Sequence, residues 1–434
     1  HRDLHSFPTR RSSDLRKTII LQGHLDMVPQ KNSDTKHDFE KDPIDAYIDG
    51  EWVKARGTTL GADNGIGVAA TLAVLEDKTL VHGPIEALFT IDEETGMEGA
   101  FGIKPGWLKG DIFLNMDSED EGELYVGCAG GTNANALFKF KKEKPDSNTV
   151  AYKLSITGLK GGHSGVDIHL QRGNAIKLMF RYLKHAVAHH GVRLASIDGG
   201  SLRNAIPREA FCEITVPKEN EAKFLKCLAD NEKIFKKEYA TVDEGLTFKA
   251  EPVKMPSYVI EAMVQDDLIH AVAICPNGVV RMSDDMKGLV ETSNNLALVK
   301  SDDKGEISVL CLLRSSVDSA KEYLESVIES TFVLAGAEIT FDGQYPGWKP
   351  NLNSAILQTM QDVYKTKWGK IPEIRAIHAG LECGILGGVY PNWDMISFGP
   401  TIRFPHSPDE KVNIETVGKF YEFLIETLKN APKK

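Results

Sequence analysis

Short apolar runs alternate with glycine-rich and helical segments at both ends of this chain, and the alternation predicts an α/β fold there. Near the N-terminus, three runs have the length of buried strands: Thr18–Leu21, Ile85–Thr90 and Asp111–Met116. Between the first two, a segment that begins near Asn64 (NGIGVAATLAVLED) predicts a helix. Towards the C-terminus, the predicted elements are helices at Ser354–Trp368 and Ile414–Asn430 and a strand at Met395–Phe398.

The middle of the chain has a different pattern, in which strands precede amphipathic helices. A strand at Tyr152–Thr157 is followed by a helix predicted at Asn174–His190, for which Gly191 is a suitable C-cap. Two later segments, which begin at Ser201 and Glu291, resemble each other, since each has strands followed by an amphipathic helix. This weak internal repeat predicts two stacked α+β units.

A chain of 434 residues is expected to form two domains. We predict an α/β catalytic domain from residues 16–130 and 345–434, with an inserted α+β lid at 131–344 that contains the repeat. The first fifteen residues (HRDLHSFPTRRSSDL) are excluded, because their later part resembles the translation of a sequencing-library adapter. Authentic sequence is therefore expected to start near Arg16, without the segments that would precede it.

Composition narrows the class of protein. With a net charge of −11 and no basic stripe to neutralise phosphates, we expect no nucleic-acid partner. Because no apolar run approaches the length of a bilayer span, we expect no membrane association either. The six cysteines are scattered without a CxxC pair, which favours reduced thiols and a cytoplasmic location.

Five polar side chains follow the predicted strands or lie in the glycine-rich turn between them. The carboxyl ends of strands in an open α/β sheet are where ligands bind, so these side chains are expected to converge. Two imidazoles and three carboxylates form a set that a pair of divalent metals would use. The five candidates are His24, Asp63, Glu94, Asp117 and His406.

The neighbours of these candidates suggest further roles. Asp26 lies on the same face of an extended segment as His24 and is expected to orient its ring. The turn GTTLGADNGIG lacks the order of a phosphate-binding loop, so we expect it to place Asp63 at a helix start, between two metals. In Asp92-Glu93-Glu94, adjacent side chains point differently, so one Glu can bind metal while the other acts as general base. Taken alone, an N-cap Asp or a solvated acidic turn would be the simpler interpretation.

Two histidine groups are more ambiguous. His378, in IHAGLECG, is expected either to contact substrate or to have a hydrogen-bonded structural role. His185 and His189 are four residues apart on the polar end of the predicted helix, where we expect them to be solvated.

Taken together, the motifs resemble those of bacterial aminoacyl-histidine dipeptidases, also called cytosol non-specific dipeptidases. These enzymes belong to a large family of di-zinc peptidases and deacylases, and the resemblance runs in order from about Arg16 to the C-terminus. The matching strings are LQGHLDMVPQKN, RGTTLGADNGIG, DEETGMEGAFG, NMDSEDEGE, GLKGGHSG, LRNAIPREAF, HAGLECG and GPTIRFPHSPDE.

The resemblance implies a zinc-dependent dipeptidase and a role for each motif residue. One zinc would be held by His24, Asp63 and Asp117. The other would be held by Asp63, Glu94 and His406, so that Asp63 bridges the two ions. Glu93 matches the general base, and Asp26 the residue that orients the first histidine. Cobalt or manganese would be substitutes for zinc.

The resemblance also assigns residues of the lid. His163 in GGHSG would help to stabilise the oxyanion, and Asn204 and Arg314 would contact the substrate. Arg314 would recognise the free carboxylate of a dipeptide, including Xaa-His substrates such as β-alanyl-histidine. Closure of the lid would complete the site. Related enzymes often form homodimers through the lid, although the doubled lid could complete the site within one chain.

Two other functions are compatible with the motifs. An N-acyl-amino-acid deacylase would share the metal ligands and differ in the lid pocket. A non-catalytic homologue would usually lack a ligand or the base, whereas all are present here. The IRFP stretch before His406 departs from the smaller, glycine-containing loop expected at that point.

Overall fold

The computed structural model of the protein describes residues 15–434. The predicted adapter segment at 1–15 therefore lies, except for Leu15, outside the described residues. The chain forms two compact units. Unit 1 comprises the chain up to Cys128 together with Gly347–Lys434, and unit 2 is Ala129–Pro346.

Strands and helices alternate in unit 1, whereas strands dominate unit 2. In chain order, the strands of the described chain are β1 (Ile19–His24), β2 (Ala46–Asp49), β3 (Trp52–Ala55), β4 (Ile85–Thr90), β5 (Ile112–Asn115), β6 (Glu123–Cys128), β7 (Gly130–Lys139), β8 (Lys142–Glu143), β9 (Thr149–Thr157), β10 (Arg193–Gly199), β11 (Ala210–Pro217), β12 (Thr247–Pro252), β13 (Val259–Ile260), β14 (Gly278–Met282), β15 (Val290–Ser301), β16 (Glu306–Ser315), β17 (Glu338–Tyr345), β18 (Glu373–Ile377), β19 (Asp394–Ser397), β20 (Ile402–Arg403) and β21 (Lys411–Asn413). The helices are α1 (Ala62–Glu76), α2 (Glu98–Phe101), α3 (Ala175–His190), α4 (Glu221–Glu238), α5 (Ala262–Ile274), α6 (Asp318–Leu334), α7 (Ala355–Trp368), α8 (Glu382–Val389) and α9 (Ile414–Lys429).

Unit 1 is built around a six-stranded, mostly parallel sheet in the order β18-β6-β19-β5-β1-β4. Strand β1, next to the edge strand β4, pairs in parallel with β4 and with β5, and β19 pairs in parallel with β5. Every residue of β1, β4 and β5 is buried, which is expected of strands covered on both faces. The predicted α/β fold class is therefore confirmed, including its strands and its two C-terminal helices.

The start of the predicted first strand is right to within one residue, but the strand continues beyond the apolar run. It was predicted at Thr18–Leu21, whereas β1 extends to His24. The additional residues are polar or small, and they stay in the sheet because Gln22 donates to Thr90 Oγ1 and accepts from Asn115 Nδ2 on the neighbouring strands. An apolar pattern cannot show such an extension, since side-chain hydrogen bonds stabilise it.

Unit 2 contains a nine-stranded antiparallel sheet, in which eight strands follow the order β12-β9-β11-β10-β15-β16-β7-β17 and β14 pairs with β15. The helix predicted at Asn174–His190 is confirmed as α3, and so is its predicted C-cap Gly191. The Asn174 side chain accepts from the N–H groups of Ile176 and Lys177, and Gly191 ends the helix in the left-handed conformation at φ 66°. The apolar face of α3 packs in the main core of this unit.

The two repeat segments of unit 2 are joined in one sheet, rather than stacked as separate units. Strand β10, next to β11 of the first repeat, pairs with β15 of the second through Asp198–Lys300 and Gly199–Val299. This pairing satisfies backbone groups that two separate sheets would leave exposed at their edges.

Among residues 15–434, no helix is long and apolar enough to cross a bilayer.

Candidate active site

The five candidate ligands come together at the carboxyl edge of the unit 1 sheet. His24 is the last residue of β1, and it is paired in register with Thr90, the last residue of β4. The Glu93-Glu94 turn follows β4, and Asp117 lies two residues beyond the end of β5. Because parallel strands end at the same edge, residues far apart in sequence become neighbours here.

His24 and Asp63 form the centre of the cluster. The His24 ring is buried, and its Nδ1–H donates to the backbone carbonyl of Asp26 at 2.9 Å. Nε2 then faces two carboxylates, lying 3.2 Å from Asp63 Oδ1 and 3.2 Å from Asp117 Oδ1. Burial opposes a positive charge on His24, but the carboxylates of Asp117 and Asp63 outweigh it and raise its pKa to about 12. This part of the site therefore favours a positive charge.

The second imidazole contacts the other side of Asp63. His406 Nε2 lies 3.3 Å from Asp63 Oδ2 and 3.0 Å from Glu94 Oε2. These two carboxylates raise the pKa of His406 to about 10. The two oxygens of Asp63 thus face different imidazoles, the arrangement expected of a carboxylate shared between two cations.

Asp26 joins the first histidine to the glutamate turn. Its carboxylate accepts from the backbone N–H groups of Glu93 and Glu94, at 3.2 Å and 3.1 Å. The hydrogen bond to the His24 ring comes from the Asp26 main-chain carbonyl, while a carboxylate oxygen lies 3.5 Å from Nδ1. Asp26 therefore positions both the imidazole and the turn with the two glutamates.

The buried carboxylates are better explained by bound divalent cations than by the hydrogen bonds that they make. Glu94 Oε1 is buried without a hydrogen-bond partner among the described residues, and the buried Asp117 Oδ1 has only its 3.2 Å contact with His24 Nε2. Burial, together with the Asp117 carboxylate, raises the pKa of Glu93 to about 9. Burial also raises the pKa of Asp117 to about 6. Such crowding of buried negative charge is unfavourable unless cations balance it. The donor set of imidazole and carboxylate suits zinc and similar divalent metals.

Glu410 is a central residue that the sequence analysis missed. It is 2% exposed and accepts hydrogen bonds from four consecutive backbone N–H groups at the start of α1. Oε2 accepts from Leu60 and Gly61 at 2.7 Å and 3.0 Å. Oε1 accepts from Ala62 and Asp63 at 2.8 Å and 3.3 Å. Glu410 thus connects the loop that contains His406 to the turn that presents Asp63.

Two further glutamates near the cluster, the buried Glu382 and the half-buried Glu119, were also missed. Glu382, the first residue of α8, is fully buried and accepts from Thr90 Oγ1 at 2.8 Å and from Gln22 Nε2 at 2.5 Å. Burial raises its pKa to about 7. Burial and the carboxylates of Asp63 and Asp117 raise the pKa of Glu119 to about 8. The available signal was in β1, where Gln22 and His24 are two residues apart and so share one face of the strand. Two polar side chains on that face indicate that further polar groups lie next to the cluster.

The predicted oxyanion residue His163 lies in unit 2, and its contacts define its tautomer. Its Nδ1 accepts from the backbone N–H groups of Gly165 and Val166, at 3.2 Å and 3.0 Å. Burial and the Arg314 guanidinium lower the pKa of His163. A neutral ring that accepts at Nδ1 holds its proton on Nε2, so Nε2–H is a donor.

The other predicted substrate residues of unit 2 lie near His163. Asn204 is exposed, and its backbone carbonyl accepts from Ser164 N–H at 2.8 Å. Arg314 is 6% exposed and donates from Nη1 to Tyr345 Oη at 3.1 Å. Its Nε has no hydrogen-bond partner among the described residues. In unit 1, His378 follows β18 and is buried.

A mostly parallel sheet whose carboxyl edge presents imidazoles and carboxylates around a shared aspartate defines a class of metal-dependent hydrolases. The chain belongs to peptidase family M20/M25/M40, whose model matches residues 20–430.

Individual relatives agree with this placement. The chain is 48% identical over 428 residues to the cytosol non-specific dipeptidase of Escherichia coli (strain K12), covering 98% of this chain and 88% of the relative. It is 49% identical to the crystal structure of aminoacylhistidine dipeptidase from Vibrio alginolyticus, with a TM-score of 0.93 over 99% of this chain and 87% of that one. An aminopeptidase PepT from Bacillus cereus, at 15% identity and a TM-score of 0.54 over 98% and 83% of the two chains, shares the fold.

Proposed function

We propose that this protein hydrolyses the amide bond of dipeptides with a free C-terminus, including Xaa-His substrates such as β-alanyl-histidine. The observation that most supports the proposal is the cluster of two imidazoles and three carboxylates around Asp63, with a buried Glu94 oxygen that has no hydrogen-bond partner among the described residues. The names of the relatives from E. coli and V. alginolyticus support the substrate class.

We propose that the centre holds two zinc ions, with cobalt or manganese as substitutes. His24, Asp63 and Asp117 would hold one ion. Asp63, Glu94 and His406 would hold the other. When bound, the ions would supply Lewis-acid activation of a water molecule and of the scissile carbonyl. The division follows the contacts of Asp63, whose two oxygens face His24 and His406 separately.

Glu93 is the proposed general base. It accepts the proton that the attacking water loses and then delivers this proton to the nitrogen of the leaving amine. The attacking oxygen first forms its bond to the carbonyl carbon, and when the carbonyl double bond re-forms, the C–N bond breaks and the protonated amine leaves, so the products are two amino acids. Asp26 positions Glu93 by accepting the backbone N–H of this residue.

The remaining proposed roles belong to substrate recognition. The Nε2–H of His163 would donate to the carbonyl oxygen as negative charge develops on it. Asn204 would contact the substrate, and Arg314 would bind its terminal carboxylate. The buried Nε of Arg314, without a partner among the described residues, supports a role in binding an anion. For His378 we propose a substrate contact, with a structural role as the alternative.

Hydrolysis of β-alanyl-histidine and several α-dipeptides by zinc-loaded protein tests the proposed function. We expect release of histidine that a chelator abolishes and added zinc restores, because the proposed activation of water depends on the bound cations. Folded, zinc-loaded protein that leaves dipeptides intact would contradict the proposal. In that case, hydrolysis of N-acyl-amino acids would indicate a deacylase.

Replacement of Arg314 by Lys tests recognition of the carboxylate. We expect KM to rise roughly 10–100-fold with a smaller change in kcat, since a hydrogen bond to a charged group contributes about 1.5–3 kcal/mol. The matched control is a dipeptide amide, which lacks the terminal charge. For the wild type, KM for the amide should exceed KM for the free dipeptide by a similar factor. The Arg314→Lys substitution should raise KM for the amide little further. Equal losses by the variant on both substrates would contradict this role.

We propose a cytoplasmic location and a homodimer formed through unit 2. The location is supported by the name of the E. coli relative and by the lack of disulfides among residues 15–434. The dimer rests on the resemblance of the motifs to a family whose members often dimerise through the lid. Analytical ultracentrifugation tests it directly, and a monomer at micromolar concentration would contradict it.

A further inference from the structure

A group of metal-binding side chains lies in unit 2, at the C-terminal end of α3. His185 and His190 belong to this helix, and Cys227 belongs to the adjacent helix α4. One ligand atom from each of the three lies within 4.8 Å of the others. We call this group the helix-pair site. The ring of His189 is also close, with its centroid 4.4 Å from that of His185.

His190 gives an independent indication that this group binds a ligand. The residue is 9% exposed, and both ring nitrogens are buried without a hydrogen-bond partner among the described residues. Burying a polar group without a partner is unfavourable, so a histidine at this position needs an explanation. A metal bound to one ring nitrogen would supply a partner.

The three ligand types select the class of metal. Imidazole and thiolate suit zinc and other borderline transition metals, whereas calcium and magnesium prefer oxygen ligands. Around a tetrahedral zinc, with bonds of about 2.0–2.3 Å, ligand atoms lie roughly 3.3–3.7 Å apart. The ligand atoms of the helix-pair site lie within 4.8 Å of one another, so small side-chain rotations are enough to reach this spacing. His185 is exposed and Cys227 is half-buried, so a metal can enter from solvent.

We propose that His185, His190 and Cys227 form a second metal site, for a zinc-like divalent transition metal. On binding, Cys227 loses its thiol proton to solvent and the sulfur joins the two imidazoles, so that the metal cross-links α3 to α4. His189 or a water molecule completes the coordination. The role is structural, since the ion stabilises unit 2 and takes no part in the hydrolysis proposed for unit 1.

Titration of the metal-free, full-length protein with Co²⁺ tests the proposal. Thiolate ligation gives a near-ultraviolet sulfur-to-cobalt charge-transfer band, which a centre of imidazoles and carboxylates does not give. In the wild type, we expect the final intensity of this band to correspond to one thiolate-bound cobalt ion per chain. It should be absent in Cys227→Ser, and His185→Gln should weaken the affinity at least roughly tenfold.

The matched control is His270→Gln, because His270 is an exposed histidine on α5 of the same unit. We expect its band to equal that of the wild type. Circular dichroism establishes that each variant is folded, independently of any activity. Folded wild-type protein without a thiolate band would overturn the proposal, and so would a band that persists in Cys227→Ser.

Discussion

Replacing Glu93 by Gln is expected to reduce kcat for dipeptide hydrolysis roughly 10²–10⁴-fold, the range that general acid–base catalysis contributes. The amide has nearly the shape of the carboxylate but cannot accept the proton that the attacking water must lose. Because Glu93 is not among the five proposed ligands, we expect metal content and KM to change little. Steady-state kinetics and elemental analysis of the same preparation measure both quantities.

Glu98→Gln is the matched control for this experiment. Glu98 is an exposed glutamate five residues further along the same connection, and we expect its replacement to leave turnover unchanged. Full activity of Glu93→Gln would rule out the assigned role. Loss of a metal ion from Glu93→Gln would instead identify Glu93 as a ligand.

The sequence was sufficient to find the candidate centre because its residues share a simple relation to the fold. His24, Glu94 and Asp117 each lie at or just after the end of a strand. In a parallel sheet that position brings them to one edge, whatever the sequence separation. The apolar runs located the strands, and the resemblance assigned a role to each residue.

The supporting carboxylates escaped notice because their surroundings depend on tertiary contacts. Glu410 lies in SPDEKV and Glu382 in GLECG, where local sequence does not distinguish a buried carboxylate from a solvated one. Their hydrogen-bond partners come from segments that are 292 to 360 residues away in the chain. The pairing of β10 with β15 was missed for a related reason, since it involves only two residue pairs.

His190 is a case in which the sequence contained a usable signal. The apolar face of α3 includes Leu183 and Val187, and the same helical spacing reaches His190 three residues later. The predicted solvation of His185 and His189 agrees with their exposure, whereas their neighbour His190 is buried. If the predicted apolar face of α3 had been extended to His190, the burial of this histidine would have been predicted.

Replacing Glu410 by Gln is expected to destabilise the metal-free protein and to weaken its affinity for metal. The carboxylate accepts four backbone N–H groups from residues 60–63, whereas an amide presents its own N–H₂ to two of them. Buried donors without a partner cost about 1–3 kcal/mol each, so we expect the loss of two acceptors to lower the free energy of unfolding by about 2–6 kcal/mol. Urea denaturation of the metal-free protein measures this change.

The effect on metal affinity follows from where the four N–H groups lie. They form the turn that presents Asp63, and the same glutamate fixes the loop that contains His406, so its replacement disturbs both sides of the shared aspartate. We expect zinc affinity to fall roughly 10–100-fold, as for other residues that position metal ligands. Asp409→Asn, a change at the exposed neighbouring residue, should alter neither quantity. If Glu410→Gln were to lose stability but keep wild-type zinc affinity, Glu410 would be a structural cap of α1 without influence on the centre.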